Sequence, residues 1–82
     1  MKRKTKTIFD PRYKYLIDQL VSIRKKKGLS QRDLAQLWGA SHPYVARTEI
    51  RDRRLDVLET IDLLKAMGLS KSEILKLIEK LV

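Results

Sequence analysis

The sequence predicts an all-α domain of five short helices behind a basic arm. Three observations carry this expectation. Apolar residues recur at three- and four-residue spacing, with no strand-like alternation to compete. Ser30 precedes Asp33, Asp56 precedes Glu59 and Ser70 precedes Glu73 by three residues, a pattern in which side chains and backbone cap each other at a helix start. Gly28, Gly39 and Gly68, the only three glycines, all fall at expected helix ends.

Taken in order, residues 1–7 have no apolar period and read as a flexible arm, so that the arm spans 1–9 and a single domain spans 10–82. Asp10-Pro11 gives an N-cap followed by a proline at the first helical position. The first helix, about 11–27, carries Tyr13, Leu16, Ile17, Leu20, Val21 and Ile23 on one stripe. Lys25 to Lys27 sit at its negative end, and Gly28 can take the left-handed cap. The second helix starts at Ser30, carries Leu34, Ala35 and Trp38 inward, and ends at Gly39. The third is capped by Ser41, with Pro43 in its first turn and Val45 inward. The fourth starts at Asp56, carries Val57, Leu58, Ile61, Leu64 and Met67, and ends at Gly68. The fifth, about 71–82, starts at Ser70 and carries Ile74, Leu75, Leu77, Ile78, Leu81 and Val82.

Composition narrows the function. At 82 residues there is room for one core, burying only about 60% of the unfolded chain's surface. With no cysteine, disulfides and thiolate chemistry are excluded, and one histidine is too few for the usual zinc constellations. No nucleophile–base–acid set and no Gly-rich phosphate loop can be assembled, so neither an enzyme nor a cofactor site is expected. No run reaches the roughly 18 apolar residues of a membrane span, and no apolar segment follows the basic start as in a signal peptide. The expectation is an intracellular, cytoplasmic protein of bacterial or phage type.

The 19 basic and 10 acidic residues give a net charge of +9. Residues 1–27 hold ten basic groups and two acids, a net of +8; residues 28–82 hold nine and eight, a net of +1. Such an excess suits a polyanionic partner, nucleic acid or an anionic surface, or simply solubilises the chain. Within the nearly neutral part, residues 30–51 read as a helix-turn-helix. Ala35 is small where two helices approach, Gly39 allows the positive φ of a tight turn, and Val45 packs back on Leu34.

These residues carry a resemblance. Leu29-Ser30-Gln31, Leu34-Ala35, Gly39, Ser41, Val45, Glu49, Leu58-Glu59-Thr60 and Lys65-Ala66-Met67-Gly68-Leu69 make residues 16–69 similar to the Cro/repressor-type helix-turn-helix family, with its compact five-helix lambda-repressor-like domain. The sequence departs from the family at Arg51, where glycine usually follows the third helix, and at Thr48, where an apolar residue is usual. An exit bent differently is expected there. The resemblance implies a sequence-specific regulator of transcription, a small repressor or autoregulator, reading a palindromic operator in double-stranded DNA as a homodimer.

By that pattern the third helix enters the major groove. His42, Pro43, Tyr44 and Arg47 then contact bases, Arg47 foremost through guanine O6 and N7. His42 can donate or accept, Pro43 can only pack on a thymine methyl, and Tyr44 either reaches DNA or packs sideways. Gln31, Ser41, Arg51, Arg53 and Arg54 fall to the sugar-phosphate backbone, and Glu49 braces the helix. The arm residues Lys2, Arg3, Lys4 and Lys6 either track a groove or form a solubilising tail. The fifth helix has apolar residues to spare. Either Ile74, Leu77, Ile78 and Leu81 form a dimer interface, setting two recognition helices about 34 Å apart, or the helix folds onto its own domain. Two alternatives stand beside this: a protein-interaction module such as an antitoxin that binds a toxin, and a non-specific nucleic-acid binder.

Overall fold

The computed structural model describes residues 9–82. Five helices follow in order: α1 (Pro11–Lys26), α2 (Gln31–Trp38), α3 (His42–Glu49), α4 (Val57–Ala66) and α5 (Lys71–Glu79). No strand occurs among the described residues. The chain is all-α, as the capping signals predict, and α5 stops at Glu79 rather than running to the last residue.

The helix starts are set locally. Asp10 accepts the Arg12 backbone N–H at 2.8 Å and also holds the Arg12 guanidinium. Reciprocal capping boxes form at Ser30 with Asp33, Asp56 with Glu59, and Ser70 with Glu73. The bound Arg12 side chain and backbone lower the Asp10 pKa to about 2, and hydrogen bonds from Ser30 and Ser70 lower those of Asp33 and Glu73. A carboxyl depressed in the folded state stabilises it above its ordinary range and loses that effect as pH falls through the folded value. Helical circular dichroism is therefore expected to hold steady down to the ordinary carboxylate range and to decline between there and pH about 2, with the starts of α1, α2 and α5 fraying first by amide NMR. Fraying of those starts already at neutral pH would contradict the caps.

The ends follow a common scheme. After α2, Gly39 sits at φ 80°, Ala40 N–H reaches Ala35 O at 2.9 Å, and Gly39 N–H reaches Gln36 O at 3.3 Å, which is the Schellman pattern. After α3 the same pattern recurs without glycine. Asp52 N–H bonds Arg47 O at 2.9 Å and Arg51 N–H bonds Thr48 O at 3.1 Å, with Arg51 itself at φ 61°. The exit from α3 thus turns as a glycine exit would, at a backbone cost on the order of 1 kcal/mol for a residue with a Cβ.

The core joins all five helices. Ile17, Leu34, Val45 and Leu64 are almost fully buried, with Leu16, Leu20, Ala35, Leu55, Leu63, Met67, Ile74 and Leu77 around them. Helix α3 packs against α2 and α1, and α2 against α4. The Tyr13 hydroxyl bridges α1 to the α3–α4 connection, accepting Leu55 N–H at 3.0 Å and donating to Arg53 O at 3.2 Å.

Two expectations need correction. Val57 and Leu58 are 74% and 71% exposed; of the expected stripe Leu64 and the C-cap Met67 are buried, joined by Thr60 and Leu63. Successive residues turn about 100° around a helix, so Leu58 falls on the face opposite Leu63, Leu64 and Met67 and Val57 at the edge of the buried stripe, while Thr60 of the same turn is buried. In α5, Ile74 and Leu77 belong to the core, and Ile78 and Leu81 pack against it. Ile74 and Leu77 thus close the monomer core, Ile78 and Leu81 are half-buried against it, and the exposed apolar residues of this segment are Leu75 and Val82.

Candidate nucleic-acid interface

Helix α3 is fixed from below. Val45 and Thr48 point into the core, and the Thr48 hydroxyl donates to Tyr44 O at 2.8 Å. This lets a threonine serve where an apolar side chain would otherwise sit. The opposite side presents His42, Pro43, Tyr44 and Arg47, all exposed.

A chain of polar side chains ties α3 to its neighbours. Arg24 of α1, buried, donates from Nε to Glu49 Oε2 at 2.6 Å and from Nη2 to Glu49 Oε1 at 3.0 Å. Its Nη1 donates to Leu29 O at 2.8 Å. Gln31 at the start of α2 donates from Nε2 to Glu49 Oε1 at 2.8 Å, and its Oε1 lies 3.1 Å from His42 Nε2. Glu49 therefore ties the end of α3 to the start of α2 and to α1. By composition Arg24 is one of the ten basic groups of residues 1–27; its signal in the sequence is its phase, since Ile17, Leu20 and Arg24 share one face of α1.

A second cluster lies at the exit of α3. The Arg53 guanidinium carbon stands 3.6 Å from the centroid of the Tyr44 ring, and its Nη2 donates to both the Tyr44 hydroxyl and Glu59. Trp38 lies against Tyr44 at a centroid distance of 5.7 Å. Arg53, expected on the sugar-phosphate backbone, is drawn inward by this cation–π contact and by the Glu59 carboxylate. Its Nη1 is buried without a partner among the described residues. Tyr44 is accordingly packed sideways between Trp38 and Arg53.

The other candidate residues distribute as follows. Arg47 is exposed, and its side chain has no ion pair or hydrogen bond among the described residues. Arg54 is exposed in the same way, and Arg51 is half-buried at the turn. Ser41 has the extended N-cap backbone but makes no side-chain cap bond, so its hydroxyl is free, unlike those of Ser30 and Ser70. The Gln31 side chain is committed to Glu49 and His42. Arg32, which the sequence reading passed over, is a further exposed cation in the first turn of α2. Lys2, Arg3, Lys4 and Lys6 lie outside the described residues.

The arrangement offers hydrogen-bond donors and positive charge on a rigid convex helix. Among the described residues there is no group of three or more His, Cys, Asp or Glu that could hold a metal ion, and no helix long and apolar enough to cross a membrane. The groove lined by Ile23, Leu69 and Leu77 and rimmed by Lys26, Lys27, Lys76 and Lys80 draws no residue from α2 or α3. Compared with protein-family models and with curated proteins, the chain finds no match in either set.

Proposed function

We propose that this chain is a sequence-specific double-stranded DNA-binding regulator of transcription that inserts α3 into the major groove. The observation that carries the reading is Arg47. It projects unpaired from a short helix whose inner face is pinned by Val45 and Thr48 and whose two ends are held by the His42–Gln31 and Glu49–Arg24 contacts. A side chain pre-positioned in this way can form two parallel hydrogen bonds to guanine O6 and N7. Arg51 and Arg54 at the exit and Arg32 in α2 flank it as phosphate contacts, which add affinity and salt dependence without reading sequence. On a palindromic operator a second copy pairs through exposed apolar residues, for which Val57 and Leu58 at the start of α4 are available.

Selection of bound sites from random duplexes tests this. A palindromic motif is expected, and Arg47→Ala should relax the preference at one symmetric base pair, at a cost of about 1–3 kcal/mol. Equal weakening at every sequence would make Arg47 a backbone contact. A motif with a single half-site would remove the dimer, and no enriched motif would end the specific-regulator reading.

A further inference from the structure

The only histidine of the chain stands at the first position of α3, and its surroundings fix which ring nitrogen carries hydrogen. The argument starts at the buried pair. The Glu49 carboxylate, held by Arg24, can only accept hydrogen bonds. The Gln31 atom 2.8 Å from it is therefore the amide nitrogen, and the amide oxygen faces the other way. That oxygen lies 3.1 Å from His42 Nε2, and it too can only accept. His42 Nε2 must then carry a hydrogen. A neutral imidazole has one N–H, so Nδ1 is left with a bare lone pair, and Nδ1 makes no hydrogen bond among the described residues.

We infer that His42 selects a base with a major-groove donor, adenine through N6 or cytosine through N4, because Gln31 and Glu49 leave its Nδ1 as an acceptor. The inference rests on the reading of α3 as a major-groove helix. Guanine presents only N7 and O6 to that groove, and thymine presents O4 and a methyl group. Either would set an acceptor or an apolar group against the Nδ1 lone pair. Gln31 acts here as a positioning residue: it touches no base and sets the polarity of the one that does. The selection at the surface is thus dictated two side chains deeper, where the acceptor-only character of Glu49 orients the glutamine amide.

Two measurements on the intact chain test this separately. With one histidine, the long-range proton–nitrogen spectrum of the imidazole shows a single ring. At about pH 8, the Nε2–H form is expected to dominate. Gln31→Ala should release the ring to a mixture of forms. Dominance of Nδ1–H, an even mixture in the unaltered protein, or no change in Gln31→Ala would overturn the inference. In the second measurement, duplexes are selected at the same pH with the unaltered protein and with His42→Ala. Adenine or cytosine should be enriched at one position of each half-site, by about fivefold or more over guanine and thymine, and His42→Ala should erase that enrichment alone. Guanine or thymine at that position, or a motif insensitive to His42→Ala, would overturn the inference while leaving DNA recognition intact. If no motif is enriched at all, the inference falls with the DNA-binding reading, and the imidazole spectrum still reports whether the Gln31 contact holds.

Discussion

Replacing Glu49 by alanine is expected to lower the free energy of unfolding by about 3–5 kcal/mol, the usual effect of removing one member of a buried ion pair. Both side chains of the Arg24–Glu49 pair are only 10% exposed. The variant keeps the Arg24 guanidinium buried, with Leu29 O as its remaining acceptor, and removes the acceptor of the Gln31 amide. The total stability of such a domain is about 5–15 kcal/mol, so the variant should unfold at far lower urea concentration. The physical cause is the orphaned charge, and the double variant Arg24→Met with Glu49→Leu isolates it. Replacing both members by apolar residues of similar size is often nearly neutral, so this variant should lose less than Glu49→Ala alone. A loss under about 1 kcal/mol in Glu49→Ala would show that the pair is not buried as described.

The second large effect lies in α4. Leu64→Ala should cost about 2–5 kcal/mol, since Leu64 has no exposed surface and its removal leaves a cavity in the core. Leu58→Ala, six residues earlier on the outer face of the same helix, should change stability by no more than about 0.5 kcal/mol, because Leu58 is 71% exposed. Urea unfolding of the two variants side by side is the check. Equal losses would mean that the outer face of α4 is packed against the core as well.

That pair of leucines marks the limit of what sequence alone discloses here. Where helices begin was legible, because a capping box is written within four residues and needs no partner elsewhere. Where α1, α2 and α4 end was legible through glycines in the left-handed conformation. The burial of Leu64 but not Leu58 was not legible, because apolar residues sit on every side of α4 and their spacing alone does not say which of them face the core. For the same reason the apolar surplus of α5 suggested an outward face, whereas Ile74 and Leu77 are needed to close the monomer. The outward set His42, Pro43 and Arg47 followed from the inward positions of α3. The inward turn of Arg53 did not, since it depends on a tyrosine nine positions earlier and a glutamate six positions later, brought together only by the fold. Arg51 stands between these cases. Its identity argued against a glycine-type exit, yet the hydrogen bonds closing α3 impose the left-handed conformation on it.

The self-contained boundaries of the helices also have a consequence for how fast the molecule forms. The starts of α1, α2, α4 and α5 are each closed by a residue at most three positions away, and each Schellman end by a carbonyl five positions back. Segments of this kind can sample their native limits before any tertiary contact exists. Topologies dominated by such near-neighbour contacts fold in roughly microseconds to milliseconds. Stopped-flow or temperature-jump relaxation is therefore expected to find a single fast phase. The step that limits it is expected to be the docking of preformed helices around Ile17, Leu34 and Val45, with the Arg24–Glu49 pair, separated by 25 residues, closing late.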